Sequence, residues 1–329
     1  MTHKVWMVEE PNAGFIQREV PRPIPKARQA VVRIAASGVN PLDTKIRAGA
    51  AAHAQQPLPA VLCLDMAGTV EDIGPDVTGF QPGDEVYGLV GGVGGLQGTL
   101  AEFIAADVGL LSRKPKNLSM REAAALPLSV VTAWEGLVDR AKVSRHHTVL
   151  IHAGAGGVGY IAIQIAQAYG ATVFATVSAE KKRVVEDLGA GTIDYRSTPV
   201  EQYLNTITEG KGFDIVYDTV GGSTLDDSFA SAKRYTGHVV SSLGWGSHSL
   251  APLSFRGATY SGVFTLLPLI TGESRAHHGE ILARAASLAE AGQLKPLLLD
   301  EKFTVSDIDG AFARVSAGSL GKVVVEIRH

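Results

Sequence analysis

Val149-Leu150-Ile151-His152-Ala153-Gly154-Ala155-Gly156-Gly157-Val158-Gly159 is the stretch that decides the fold. Its apolar start, Val149 to Ile151, reads as a buried strand and passes directly into a glycine-rich turn. Val158 to Tyr169 follows with the composition of a helix. In such a turn Gly154 permits the tight bend, Gly156 lets backbone approach phosphate, and Gly159 lets helix and strand pack closely. The helix start adds unpaired N–H donors and a partial positive charge. A bare G-x-G-x-x-G carries little weight, since glycines also cluster in plain β-turn-α connections. Here a strand precedes it and a helix follows, which is the context that predicts a seat for a dinucleotide pyrophosphate.

Working outward, helix and strand signals alternate after Leu118. Ser119 with Glu122 has capping-box spacing. Strands are expected at Thr148 to Ala153, Thr172 to Val177, Phe213 to Asp218, His238 to Gly244 and Tyr260 to Phe264, with a helix at Glu180 to Leu188. That alternation is the mark of a doubly wound parallel sheet. The first third reads differently. Ala30 to Ala36, Gly68 to Gly74 and Pro82 to Tyr87 are short strands without regular helices between them, and prolines 21, 23 and 25 keep the early chain extended. A mainly antiparallel domain is expected there. Past a helix at His278 to Ala291, Lys302 to Val305 and Lys322 to Ile327 return to that style, so the final strands are expected to rejoin the first domain's sheet.

The chain has 329 residues, a net charge of −3 and 45% hydrophobic residues. This length suggests two domains, and the charge argues against a nucleic-acid surface. No apolar stretch is long enough to span a bilayer, and Met1 to Trp6 lacks a signal-peptide layout. A soluble cytoplasmic protein is expected. Its single cysteine, Cys63, excludes an internal disulfide and a cysteine-rich zinc cluster.

Several blocks, taken in order, are similar to one family. They are Ala36-Ser37-Gly38-Val39-Asn40-Pro41-Leu42-Asp43, Ala123-Ala124-Ala125-Leu126-Pro127-Leu128, Thr132-Ala133, the glycine turn, Tyr217-Asp218-Thr219-Val220-Gly221-Gly222 and Gly321-Lys322-Val323-Val324. The chain resembles the medium-chain dehydrogenase/reductase superfamily, and within it the zinc-independent quinone oxidoreductase (zeta-crystallin-like) branch. The resemblance implies an α/β fold in which a Rossmann doubly wound parallel sheet is inserted into a mainly β, GroES-like catalytic domain. Residues 1–118 and 266–329 would form the discontinuous catalytic domain and 119–265 the dinucleotide-binding domain. It also implies a homodimer.

Zinc alcohol dehydrogenases of the same superfamily place a cysteine where this chain has Asn40 and a His-Glu pair where it has Leu64-Asp65. A catalytic zinc needs three protein ligands and an open position, and leucine cannot ligate. The pairs His146-His147 and His277-His278 point neighbouring side chains apart and are expected at the surface. No zinc is expected.

For the coenzyme, the second strand tip carries Ser178 in place of the acidic residue usual for NAD. In the related reductases a lysine matching Lys181 and a tyrosine matching Tyr195 contact the adenosine 2′-phosphate. Ser178, Lys181 and Tyr195 therefore favour NADPH, with Glu180 as a competitor for ribose. The glycine turn contributes Ala153, Gly154, Gly156, Gly157, Val158 and Gly159 to the coenzyme site, Gly244 follows a strand and is expected beside the cofactor at the sheet's C-terminal edge, and the resemblance adds Thr132 near the nicotinamide carboxamide.

The implied reaction is hydride transfer from NADPH to a quinone or an α,β-unsaturated carbonyl. Without a metal, charge on the acceptor oxygen must be met by hydrogen bonds. Asn40 matches the family asparagine near the nicotinamide; it also reads as a loop residue bonding backbone before Pro41. Lys45 departs from the tyrosine of many relatives. It reads either as a proton donor with a lowered pKa or as a surface lysine paired with Asp43. A short-chain dehydrogenase would need Tyr-x-x-x-Lys, which is absent. The alternatives are a redox-inert NADPH-binding sensor or structural protein and, with less support, a zinc alcohol dehydrogenase.

Overall fold

Runs of apolar residues become strands covered on both faces, and the glycine turns become the corners between strand and helix. In the computed structural model, which describes residues 1–328, the strands in chain order are β1 (Thr2–Val8), β2 (Ile16–Pro21), β3 (Gln29–Val39), β4 (Ala60–Val61), β5 (Asp65–Ile73), β6 (Glu85–Leu89), β7 (Phe103–Asp107), β8 (Leu111–Arg113), β9 (Thr148–Ile151), β10 (Thr172–Val177), β11 (Gly191–Asp194), β12 (Ile215–Asp218), β13 (His238–Ser241), β14 (Thr259–Gly262), β15 (Phe303–Thr304) and β16 (Val323–Glu326). The chain forms two compact units, Met1–Leu128 with Leu266–His329, and Ser129–Thr265.

The second unit holds one parallel sheet in the order β11-β10-β9-β12-β13-β14. Strand order reverses between β9 and β12, and in such sheets ligands bind beyond the carboxyl ends of the strands at that reversal. Val149, Leu150 and Ile151 of β9 and Val216 and Tyr217 of β12 are fully buried, as strands sandwiched between helices must be. On one face Leu150, Phe213 and Val216 pack with Tyr203 and Leu204 of the helix Val200–Thr208 and Leu225 and Phe229 of the helix Ser223–Ser231. The helix Gly157–Ala168 lies against β9 and β10 and buries Gly159 through Ala166.

The first unit holds a small sheet, β2-β1-β4, and a larger one running β15-β16-β3-β5-β6-β8, with β7 also on β3. Its pairs are antiparallel except β15 with β16. The C-terminal strand β16 pairs with β3, so the end of the chain rejoins the sheet laid down at its start. The expected Ser119–Glu122 capping box is present: Glu122 Oε2 accepts the Ser119 N–H at 2.8 Å and Ser119 Oγ accepts the Glu122 N–H at 3.2 Å. The helix it starts, Met120–Ala124, packs on β3 and β5. Residues 119–128 therefore lie in the first unit, and the inserted segment begins at 129 instead of 119.

Two other expectations change. The helix after β10 is shorter than expected, a 3₁₀ turn Ala179–Lys181 followed by Lys182–Glu186. His278, expected at the surface, is fully buried. Its helix, Arg275–Glu290, covers β8 and the turn before it, and residue 278 falls on the covered face. Among the described residues no helix is long and apolar enough to cross a membrane.

Candidate active site

In the second unit the glycine turn is held shut by the neighbouring strand. The Ala153 N–H donates to Thr176 Oγ1 at 3.0 Å, and the Gly154 N–H donates to the Thr176 carbonyl at 2.9 Å. Ala153 itself sits at φ 54°. A Cβ on Gly154 would lie 2.6 Å from the Ala175 methyl, and one on Gly159 would lie 2.2 Å from the Ala153 carbonyl oxygen. Glycine is therefore required at both positions by close approach. Gly156 and Gly157 are exposed and Val158 is half-buried, so the first turn of the helix leaves its N–H groups uncovered for an anion.

The adenosine end is defined by strand register. Val177 of β10 pairs with Asp194 of β11, so Ser178 and Tyr195 leave the sheet side by side. Ser178 is buried, Tyr195 is 56% exposed and Lys181 is exposed. Arg196, which the sequence reading did not single out, joins them. Its guanidinium bonds Glu180 at 2.8 Å and lies 5.6 Å from the Tyr195 ring centre. The Ser178 hydroxyl, Glu180's own backbone N–H and Arg196 hold the Glu180 carboxyl down to about 2. Its position immediately after Tyr195 at a strand end was the available signal for Arg196.

Thr132 sits on the helix Pro127–Trp134. Its carbonyl accepts the buried Tyr217 hydroxyl at 2.7 Å, and its Oγ1 accepts from Thr265 at 3.1 Å. Gly244 follows β13, and a Cβ there would lie 2.3 Å from the Tyr260 hydroxyl. Trp245 is half-exposed with its ring edge-on to Phe264. Beneath the glycine turn His152 is buried, which pushes its imidazole down to about 4 and keeps it neutral.

The first unit gathers a polar cluster at one end of three adjacent strands. Asn40 follows β3, Asp65 opens β5 and Lys322 precedes β16. Register makes them neighbours, since Val39 pairs with Val323 and Gly38 pairs with Asp65. Asn40 is 2% exposed and Asp65 is 0% exposed. The Asn40 amide Nδ2 donates to Asp65 Oδ2 at 3.0 Å, and its Oδ1 accepts a short hydrogen bond from Lys322 Nζ. Lys322 Nζ also donates to Asp65 Oδ2 at 3.0 Å, and the Leu128 N–H donates to Asp65 Oδ1 at 2.9 Å. A second carboxyl, Asp43, is fully buried and accepts the Asn40 backbone N–H at 2.7 Å. Burial chiefly, with the Asp65 charge adding, pushes Asp43 up to about 7 against the pull of Asn40 and Lys322.

Asn40 therefore bonds side chains, and it also caps the helix Pro41–Arg47 in a capping box with Asp43. Lys45 does not reach this cluster. It is exposed on the helix Pro41–Arg47 and lines a shallow depression with Asn12, Thr44, Arg47 and Phe312. The lysine beside Asn40 is Lys322. It lies in a quoted sequence block, but 282 residues of chain separate it from Asn40, and no local pattern reports that distance. The donor set does not suit zinc. Leu64 and Cys63 are fully buried, and burial pushes the Cys63 thiol up, away from the thiolate a metal needs. Asp65 has a partner on each oxygen, and among the described residues no group of three His, Cys, Asp or Glu could hold a metal ion.

Comparison with known proteins agrees with this architecture. Residues 26–116 match the alcohol dehydrogenase GroES-like domain, and residues 157–274 match the zinc-binding dehydrogenase domain. The chain is 35% identical to a tomato (Solanum lycopersicum) 2-methylene-furan-3-one reductase over 94% of its length and 74% of that protein's. It is also 35% identical to the chloroplastic NADPH-dependent alkenal/one oxidoreductase of Arabidopsis thaliana, over 91% of this chain and 72% of that one. An alcohol dehydrogenase superfamily protein from Novosphingobium aromaticivorans superposes with a TM-score of 0.97 at 52% identity, covering 99% of this chain and 100% of that one. The quinone oxidoreductase of Coxiella burnetii gives 0.83 at 27% identity over the whole of both chains. Two domain matches and relatives above 30% identity along nearly its full length define the class: the chain belongs to the medium-chain dehydrogenase/reductase superfamily. It is an oxidoreductase of that superfamily, with quinone and enone reductases among its relatives.

Proposed function

We propose that this chain is an NADPH-dependent, zinc-independent reductase of α,β-unsaturated carbonyls or quinones. The observation that carries the reading is the hydrogen-bonded group Asn40, Asp65 and Lys322 at the position where zinc dehydrogenases gather metal ligands. NADPH, when bound, supplies the hydride. The N–H groups of Gly157 and Val158 receive the pyrophosphate, and Ala153, Gly154, Gly156 and Gly159 shape the turn that exposes them, with the Gly156 N–H closing it on the Ala153 carbonyl at 2.9 Å. Ser178, Lys181 and Tyr195 hold the 2′-phosphate, where a dianion calls for a cation and hydroxyl donors. Thr132 and Gly244 take the nicotinamide end. Asn40 donates an amide N–H to the acceptor oxygen as negative charge develops on it, the role a metal would otherwise fill. The working form is a homodimer; β14 closes the parallel sheet with an exposed strand edge that a second copy can cover.

Purified protein mixed with NADPH and a panel of enones and quinones tests the reading directly. Coenzyme oxidation that depends on the acceptor, in protein with no stoichiometric zinc by metal analysis, is expected. Tight NADPH binding with no turnover on any acceptor would instead establish a redox-inert coenzyme-binding protein. One zinc per chain would refute the metal-free mechanism.

A further inference from the structure

We infer that Lys322 is the positioning residue of the reduction: its ammonium locks the Asn40 side-chain amide so that an N–H, and not the carbonyl oxygen, is left for the acceptor. This rests on the reductase reading above. A primary amide has nearly the same shape in two orientations related by a half-turn, and only its partners choose between them. Here the choice is forced. Nδ2 faces the Asp65 carboxylate at 3.0 Å, and Oδ1 faces the Lys322 ammonium. Turning the amide over would set carbonyl oxygen against carboxylate oxygen and NH₂ against ammonium, replacing two charge-assisted hydrogen bonds with two repulsions. Asn40 and Asp65 are 2% and 0% exposed, so water cannot soften that penalty.

One Nδ2 hydrogen serves Asp65; the second faces the Asp43 carboxyl, where it is the weakest of the influences on that group, and it is the one an acceptor would take up. Asp65 is the common acceptor of the cluster. Its Oδ1 takes the Leu128 N–H and its Oδ2 takes both Asn40 and Lys322, a set of donors that suits the ionised carboxylate. Lys322, with a side chain 10% exposed, is the cation that faces Asp65, and its charge also bears on Asp43 and Cys63. The three residues are brought together by the register of β16, β3 and β5, so the lock is built into the rigid sheet and not carried on a loop.

Lys322→Met, Lys322→Arg and the double variant Lys322→Met with Asp65→Asn test this. The double variant removes the buried charge that the single change would strand, so it keeps the test open if Lys322→Met fails to fold. Each folded variant is assayed for NADPH affinity by fluorescence titration and for kcat and KM with an enone that wild type reduces. The expected result is a kcat about 100-fold lower in Lys322→Met and in the double variant, on the scale of losing one aimed donor. NADPH affinity and the melting profile of the double variant should stay near wild type, and Lys322→Arg should recover part of kcat. A purely structural role would move stability and coenzyme affinity together and leave kcat of the folded fraction intact. A folded double variant with kcat within about twofold of wild type overturns the inference and leaves the reductase reading standing. Wild type that reduces no acceptor overturns both.

Discussion

Replacing Asp43 by asparagine should make the protein more stable at alkaline pH, and by an amount that depends on pH. Asp43 is fully buried; one carboxyl oxygen accepts the Asn40 N–H at 2.7 Å, and the other has no hydrogen-bond partner. Asp65, Lys322 and the Cys63 thiol are the titratable groups around it. Burial and Asp65 raise its pKa from 3.8 to about 7. The folded chain therefore keeps a proton that the unfolded chain has already lost. Below the unfolded value both states are protonated, and the stability contributed by the protonated carboxyl is fully present. As pH rises from there to about 7 the unfolded state is increasingly favoured, and above that the loss is complete. The shift is about 3 units, and at 1.36 kcal/mol per unit the loss is about 4 kcal/mol. The asparagine of the variant cannot ionise, and its amide oxygen can still accept the Asn40 N–H. For a unit of this size that loss corresponds to roughly 10 °C in melting temperature. Calorimetric melts of wild type and Asp43→Asn across about pH 4 to about pH 8 measure it. Titrations of groups remote from Asp43 cancel in the difference, which should grow in favour of the variant as pH rises. A difference that stays constant within about 2 °C over that range would refute the reasoning.

Lys181→Ala should weaken NADPH about tenfold, the value of one charge-assisted hydrogen bond, and NADH by less than about twofold; equal losses in fluorescence titrations would remove Lys181 from the phosphate site. Gly159→Ala places a methyl 2.2 Å from the Ala153 carbonyl oxygen, so the helix must move off the turn, costing about 1–3 kcal/mol and coenzyme affinity with it. Unchanged melting and unchanged NADPH binding in that variant would show that the turn is not packed as described. Light scattering after gel filtration should give the mass of two chains, and charged substitutions on the exposed face of β14, such as Tyr260→Lys, should shift it to one. A monomeric wild type would refute the dimer.

The amino-acid sequence by itself determined whatever depends on neighbours along the chain. The strand, glycine turn and helix at 149–169, the alternation that builds a parallel sheet and the Ser119–Glu122 cap are local patterns, and the structure contains each of them. The lack of zinc ligands at Leu64 is likewise a matter of residue type. Tertiary structure alone decided three things. Residues 119–128 belong to the first unit because their helix packs on β3 and β5, and composition does not reveal which sheet a short helix covers. His278 is buried because its helix turns that face onto β8, although its neighbour His277 is exposed. The lysine beside Asn40 is Lys322 and not the nearby Lys45, because the register of β16 on β3 closes a gap of 282 residues while the helix Pro41–Arg47 carries Lys45 into solvent. Local propensity acts over a few residues and is written in the order of the chain; the site is made by strand pairing, which joins residues without regard to that order.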